Sequence, residues 1–412
     1  MLYSASIQSS EARHVDPSFA VWISAINLTG FRNYDQLSLH FDGQPVVLVG
    51  ANGAGKTNLM EAVSLLAPGR GLRRANTAQL QRRSPVSATA AGWSISARIE
   101  TPEGPFQAGT GMRAEDISEK PRRQIRIDGV DQPQMALAER LAVSWLTPEM
   151  DDVLASSASE RRRFLDRLVI AFDPAHTGRL QRYEKAARQR NRLLDDKIVD
   201  DHWFDALEVE MASSGVAIIA ARKALVEALD QEAALPVPAF PSARLVLEGA
   251  AEDWLDNMPA VDVEDRLREE ARMARQRGER NLPGAAASLL RVFHSDTGQE
   301  AGLSSTGEQK ALVISVILAH ARLQARRLGK PPVLLLDDIA SHLDRYRREA
   351  LFELAAGLKG QVWFSGTDLG LFAPMLGQAQ VISLSSGRVA ENADDTAPIM
   401  SAPIKRSLPD EQ

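Results

Sequence analysis

The sequence predicts an α/β nucleotide-binding fold, a mixed sheet with helices that carries an inserted helical lobe or a short coiled-coil-like hairpin. Three observations point to it. A short β-branched run, Val46 to Val49, ends in the glycine-rich loop Gly50-Ala51-Asn52-Gly53-Ala54-Gly55-Lys56-Thr57 and leads into a helix-like segment, Asn58 to Leu66. Late in the chain a second apolar run, Val333 to Leu336, ends in Asp337-Asp338. Between them, from Ser159 to Arg280, apolar residues recur at helical spacing among dense Arg, Glu, Asp, Leu and Ala.

Taken in order, Met1 to Ala20 reads as an unordered extension. Met1 to Phe19 is polar and lacks the apolar stretch of a secretory signal. Val21 to Phe41 alternates like two strands with a turn through Gly30 to Tyr34. Val46 to Val49 is apolar throughout, as in a strand buried on both faces. Gly69 to Arg74 is a basic loop, Trp93 to Glu100 alternates as a strand, and Gln124 to Asp131 carries an Asp-Gly hairpin turn. These residues, 21–147, form a β-rich first part. From 148 to 300 the pattern is helical: Ser159 to Val169, Gly178 to Ile198, Phe204 to Leu229 and Val263 to Arg280, broken at Pro236 to Pro241, with Arg244 to Leu247 as a short strand. Paired as a hairpin, an arm of ~25 residues reaches about 40 Å; a plain helical lobe fits the pattern equally. Residues 301–390 return to α/β character, and 391–412 read as an unordered tail.

Composition limits the function. The chain has 412 residues, 44% of them hydrophobic, enough for a sizeable core. No run approaches the ~20 apolar residues of a membrane span. There is no cysteine, which removes disulfides, thiolate metal sites and a cysteine nucleophile and suits a reducing cytoplasm. The net charge of −6 leaves nucleic-acid contact to local basic faces.

The chemistry starts at the glycine-rich loop, which is G-x-x-x-x-G-K-S/T in its strand–loop–helix context. Glycine lets backbone N–H groups close around a phosphate, and the following helix adds its positive end. Lys56 reaches β- and γ-phosphates, and Thr57 offers a hydroxyl to Mg²⁺. Asp337, at a strand's C-terminal end, holds Mg²⁺, and Asp338 is placed to orient or deprotonate a water. Ser305-Thr306-Gly307-Glu308 is an S-x-x-E capping box at the start of an apolar helix, Ala311 to Leu328. Basic clusters at Arg70, Arg73, Arg74; Arg82, Arg83; Arg122, Arg123, Arg126; Arg161 to Arg163; and Arg188, Arg190, Arg192 are candidate DNA-facing groups.

These motifs together resemble ABC-type ATPase heads and, within them, the RecF family of bacterial recombinational repair. L-T-G-F-R-N-Y (Leu28 to Tyr34), the phosphate loop, P-G-R-G-L-R-R (Pro68 to Arg74), S-S-T-G-E-Q-K and L-L-L-D-D-I-A-S-H-L-D (Leu334 to Asp344) carry the general likeness. E-R-R-R-F-L-D-R (Glu160 to Arg167) and Y-E-K-A-A-R-Q-R-N-R-L-L (Tyr183 to Leu194) carry the specific one. A transporter subunit has a much shorter interval between phosphate loop and signature, and SMC proteins have far longer arms.

The resemblance implies an ATP- and Mg²⁺-dependent homodimer in the cytoplasm, associated with the nucleoid and not with a membrane. It implies binding to gapped duplex and single-stranded/double-stranded junctions, and work with RecO and RecR to load RecA. By the same resemblance Arg32 and Asn33 lie near the nucleotide, Ser305 and Gly307 meet the γ-phosphate bound to the other subunit, and Ser341 to Asp344 crosses the dimer seam. The resemblance implies a weak, DNA-dependent ATPase; His342 stands where glutamate is usual, and Thr367-Asp368 stands where a switch histidine is usual, a departure that implies slow hydrolysis. The alternative is a related scaffold that uses ATP mainly for assembly.

Overall fold

The computed structural model describes residues 21–82, 92–113, 123–198 and 200–390. The ends expected to be unordered, 1–20 and 391–412, and the basic positions Arg83 and Arg122 lie outside them.

The chain opens on an antiparallel hairpin, β1 (Trp22–Phe31) and β2 (Tyr34–His40). Its turn is Arg32-Asn33, with Arg32 at φ 54°. The buried strand β3 (Val46–Val49) follows and delivers the glycine-rich loop to α1 (Lys56–Ser64). Four strands extend the first sheet: β4 (Trp93–Glu100), β5 (Phe106–Met112), β6 (Gln124–Ile127) and β7 (Val130–Gln132). The order is β2-β1-β4-β5-β6-β7, all antiparallel. In β4, Trp93, Ile95, Ala97 and Ile99 alternate inward, the period-2 pattern of a sheet covered on one face. The β6–β7 turn is the expected Asp128-Gly129, with both residues at positive φ, the geometry that twists two strands into a hairpin.

The chain then returns to the sheet of β3 through β8 (Val143–Leu146), a strand not expected from the sequence, and goes on to three helices. These are α2 (Ala158–Ile170), α3 (His176–Asp195) and α4 (Asp201–Ala233). A small ribbon pairs β9 (Ala243–Glu248) with the later β10 (Leu289–His294), and α5 (Ala250–Asn257) and α6 (Ala260–Gln276) lie between its strands. The remainder is α7 (Thr306–Leu328), β11 (Val333–Leu336), α8 (Arg345–Gly357), β12 (Val362–Gly366), β13 (Gln380–Ser385) and β14 (Arg388–Val389). The second sheet has the order β14-β13-β3-β12-β11-β8. All its pairs are parallel except β13–β14. Parallel strands are buried on both faces, which explains why β3, β8, β11 and β12 are buried at every position. Gln361 fastens the two sheets together, accepting from Ile23 N at 3.0 Å and donating to Ile23 O.

The helical hairpin is packed along its length and is no bare arm. α3 and α4 run antiparallel, with Arg190 beside Glu208, and Tyr183 against Gly215. α6 lies along α4 as well, with Val263 and Leu267 in one cluster with Val216 and Ile219. At ~1.5 Å per residue α4 is about 50 Å long. Its last turns, through Leu225, Leu229 and Ala233, belong to the main core.

Two basic positions expected on DNA-facing clusters are structural. Arg190 is fully buried and bonds Glu208, Ala271 O and Glu279 O, stitching α3, α4 and α6. Arg123 is buried and donates to Leu65 O and Ala67 O, just past the last residue of α1. Arg188 and Arg192 form i,i+4 pairs with Glu184 and Asp196. Breaking a buried ion pair by removing one partner costs roughly 3–5 kcal/mol. Arg190→Met is therefore expected to lose stability on that scale, read by urea unfolding, while the exposed Arg192→Met stays within about 0.5 kcal/mol of the parent.

Candidate functional site

The site stands at the C-terminal ends of β3, β12 and β11, where α/β sheets hold ligands. Gly50 leaves β3 at φ 154°, and a Cβ there would sit 2.2 Å from Leu384 O. Gly55, the N-cap of α1, has φ 118°, and its Cβ would meet the Tyr34 hydroxyl at 2.5 Å. No L side chain fits either place without backbone movement. Tyr34 is buried and donates to Gly55 O at 2.9 Å, so β2 holds the loop from below. Gly387, in the β13–β14 turn, donates to Ala54 O from the other side.

Lys56 folds back over the loop, with Nζ 2.6 Å from Gly50 O and 3.0 Å from Ala51 O. Burial lowers its pKa, and Asp338 and then Asp337 pull it back up. The ammonium is thus desolvated yet faces both carboxylates. Thr57 Oγ1 donates to Asp337 Oδ1 at 3.1 Å, and Ser365 Oγ donates to the same oxygen at 2.6 Å. Ser365 also accepts from Asp338 N at 2.9 Å. The register of β11 on β12, Leu336 opposite Phe364, makes Asp337 and Ser365 the next neighbours. Sequence reasoning missed Ser365 because only that pairing brings it to the acidic pair.

Asp338 has φ 51°, a left-handed conformation that costs a non-glycine residue of order 1 kcal/mol. Its amide is held by Ser365, and its carbonyl accepts from Ser341 Oγ at 2.9 Å. Its carboxylate Oδ1 is buried without a hydrogen-bond partner, and Oδ2 lies 4.0 Å from His342 Nε2. Strain and an unused acceptor coincide on the residue expected to handle water.

At the rim, Arg32 is spent on Glu61 of α1, donating at 2.8 and 2.7 Å, and on Gln79 O. Glu61 is fully buried; this pair fixes the β1–β2 turn onto α1. Asn33 touches the loop directly, Nδ2 to Ala54 O at 3.4 Å, and accepts from Asn58. Arg73 donates to Asn58 Oδ1 at 2.6 Å.

Ser305 and Gly307 stand apart from this run of bonds. Ser305 caps α7, accepting from Glu308 N while Glu308 accepts from Ser305 N, the expected reciprocal box. The first turn is exposed, and beside it Leu303 is 75% exposed. Lys310, one turn on, is buried on Asp151 at 2.7 Å, tying α7 to the segment after β8. Asp368, in the place of a switch histidine, caps the turn Leu369–Met375 through Gly370 N. Asp344 caps α8.

The family described as "RecF/RecN/SMC N terminal domain" matches residues 22–364. "DNA replication and repair protein RecF" of Mesorhizobium japonicum is 45% identical over 378 residues, covering 90% of this chain and 98% of the relative. The protein of the same name from Rhizobium etli is 45% identical over 375 residues, with the same coverage. Among solved structures, "the recombination mediator protein RecF-ATP in RecFOR pathway" superposes with a TM-score of 0.75 at 20% identity, over 92% of this chain and 100% of that one. The Smc head domain with an extended coiled coil from Pyrococcus furiosus reaches 0.50 at 16% identity, over 90% and 95%. These structures share the fold of an ABC-type head.

Because backbone surrounds Gly50, Gly50→Ala should destabilise the chain by about 2 kcal/mol or more and abolish binding of a fluorescent ATP analogue. Gly53→Ala, which meets nothing within 4 Å, should be the milder change. Equal effects of the two would contradict this geometry.

Proposed function

The chain belongs to the RecF/RecN/SMC N-terminal domain family and, within it, to the RecF proteins, and on that premise we propose that ATP, held at the phosphate loop, joins two copies of it on DNA. The observation that carries the reading is the run of bonds Thr57–Asp337–Ser365–Asp338, set apart from an exposed Ser305 cap on α7. One copy thus carries half of a site twice over.

Gly50, Ala51, Asn52, Gly53, Ala54 and Gly55 cradle the phosphates, and Lys56 neutralises the β- and γ-phosphates. Thr57 and Asp337 hold Mg²⁺. A hydroxyl and one carboxylate are the hard oxygen donors that Mg²⁺ takes alongside phosphate and water. Among the described residues no cluster of three metal-ligating acidic or histidine side chains competes. Asn33 borders the nucleotide; Arg32 acts beside it by locking the turn to Glu61. Ser305 and Gly307 meet the partner's γ-phosphate at the positive end of α7, and Ser341 to Asp344 lies along the seam.

Asp338 orients or deprotonates the attacking water through its unpaired Oδ1. With Asp368 engaged as a cap and no switch histidine, hydrolysis is slow and responds to DNA. ATP serves as a clamp as much as a fuel. Residues 21–147 and 301–390 make the ATPase head, and 148–300 the lobe. The DNA is gapped duplex or a junction, and the dimer works with RecO and RecR in loading RecA, in the cytoplasm at the nucleoid. No helix of the described residues is long and apolar enough to cross a membrane. The exposed arginines of the Gly69–Arg74 loop and of α2 face DNA phosphates.

The test is size analysis with ATP, with ADP and without nucleotide, each with and without gapped DNA. Dimer is expected only with ATP. Asp338→Asn should keep ATP binding, lower turnover by about 100-fold or more and prolong the dimer; normal turnover would remove Asp338 from catalysis. Ser305→Arg should bind ATP as a monomer and fail to dimerise; a normal ATP-dependent dimer would sink the composite site.

A further inference from the structure

A second cavity opens where the Gly69–Arg74 loop, β8, α2 and α7 meet. Its volume is about 320 Å³, within the range of small-molecule sites. It borders the residues that follow α1, so a helix length of ~14 Å separates it from the phosphate loop at the other end. Val143, Leu168 and Ile317 line an apolar interior, and Arg70, Arg74, Arg163 and Arg167 line the polar part together with Asp166 and Glu184.

Two polar groups here lack partners. His320 lines the cavity at 1% exposure; its Nε2 donates to Leu168 O at 3.0 Å, and its Nδ1 is buried with no hydrogen bond. Burial pushes this imidazole down to about 4, so at neutral pH Nδ1 is an unused acceptor. The Arg167 guanidinium lies over Trp145 and Phe164, 5.1 and 5.3 Å from the ring centres; Nη1 meets Met150 Sδ, and Nη2 is buried with no partner. Burial and then Arg74 disfavour its charge, and Arg74 is opposed in turn by burial, Arg163 and Arg70. The nearby acids have partners: Asp166 bonds Arg222 and His176, Glu184 bonds Arg188, and Glu160 lies 3.7 Å from Arg163 at the exposed rim.

We propose that this cavity binds a nucleotide other than the ATP of the phosphate loop, with its phosphate on Arg74, Arg163 and Arg167 and its base inside, an exocyclic amino group donating to His320 Nδ1. A simple anion leaves the apolar wall and His320 unused. A neutral apolar ligand leaves Arg167 Nη2 unpaired and the repulsion of Arg74 by Arg163 and of Arg167 by Arg74 unrelieved. A nucleotide whose base carries an amino group satisfies both. Its source is an unpaired residue of a DNA strand, which rests on the DNA reading above, or a free nucleotide, which does not.

The experiment uses the full chain with Lys56→Ala, so that the phosphate loop does not report. 2-Aminopurine, a fluorescent adenine isomer, is supplied as the free deoxyribonucleoside monophosphate and, separately, as one residue of a single-stranded oligonucleotide whose anisotropy is also followed. Quenching is expected with at least one of them. Ala171→Trp, which fills the cavity without changing charge, and Arg163→Glu, whose side chain is 54% exposed, should each weaken it by about tenfold or more. Quenching of the oligonucleotide alone assigns the site to DNA. Quenching of the monophosphate with no oligonucleotide binding keeps the cavity site and removes the DNA reading. Oligonucleotide binding by anisotropy without quenching, or quenching unchanged in both variants, overturns the proposal, the first while leaving the DNA reading intact. Should Ala171→Trp fail to fold, Arg163→Glu alone decides.

Discussion

The hydrogen bond between Thr57 and Asp337 joins residues 280 positions apart, and the site exists only when it can form. Neither residue is held there by its neighbours in sequence. Thr57 is fixed by the glycine turn out of β3, and Asp337 by the end of β11. The strand between them, β12, sets the spacing: Leu336 pairs with Phe364, and Gly366 with Val49. A slip of one residue in either pairing would turn every side chain of the strand to the other face. Continuous burial of all three strands makes that slip costly, so the register that builds the core also brings Thr57, Asp337 and Ser365 together.

Buried charges carry the rest of the positioning. Glu61 has no exposure and takes Arg32 from the β1–β2 turn, which brings Asn33 and Tyr34 against the loop. Arg222 joins Asp166, Ala285 O and Ser288, and Asp166 takes His176 as well. Arg190 does the same for three helices of the lobe. Ion pairs of this kind contribute little net stability over apolar packing, yet breaking one is expensive.

Much of this was legible beforehand. The phosphate loop, the acidic pair and the Ser305 capping box are local patterns, each formed by residues within a few positions, and the structure has all three. The strands missed were β5, β8, β10 and the two-residue β14. Trp145 and Leu146 sit in a segment of mixed polarity, and β8 is a strand because Val143 to Leu146 pair with Val333 to Leu336. The basic clusters were legible as composition and not as surface. Arg123 and Arg190 look like their exposed neighbours in sequence, and only packing shows them spent on carbonyls and a carboxylate.

The chain's sequence by itself determined the local geometry of the glycine-rich loop and of the Ser305 cap, because glycine conformations and helix caps depend on adjacent residues alone. It also determined that the middle third would be helical, through its 3.6-residue period. Only the tertiary structure decided which distant groups share the site: Ser365 under the acidic pair, Tyr34 beneath Gly55, Ser305 on a separate exposed turn. It also decided that the helical hairpin is clasped by α6 into a lobe. These outcomes rest on strand register and on long-range burial, and both are properties of contacts between segments far apart in the chain.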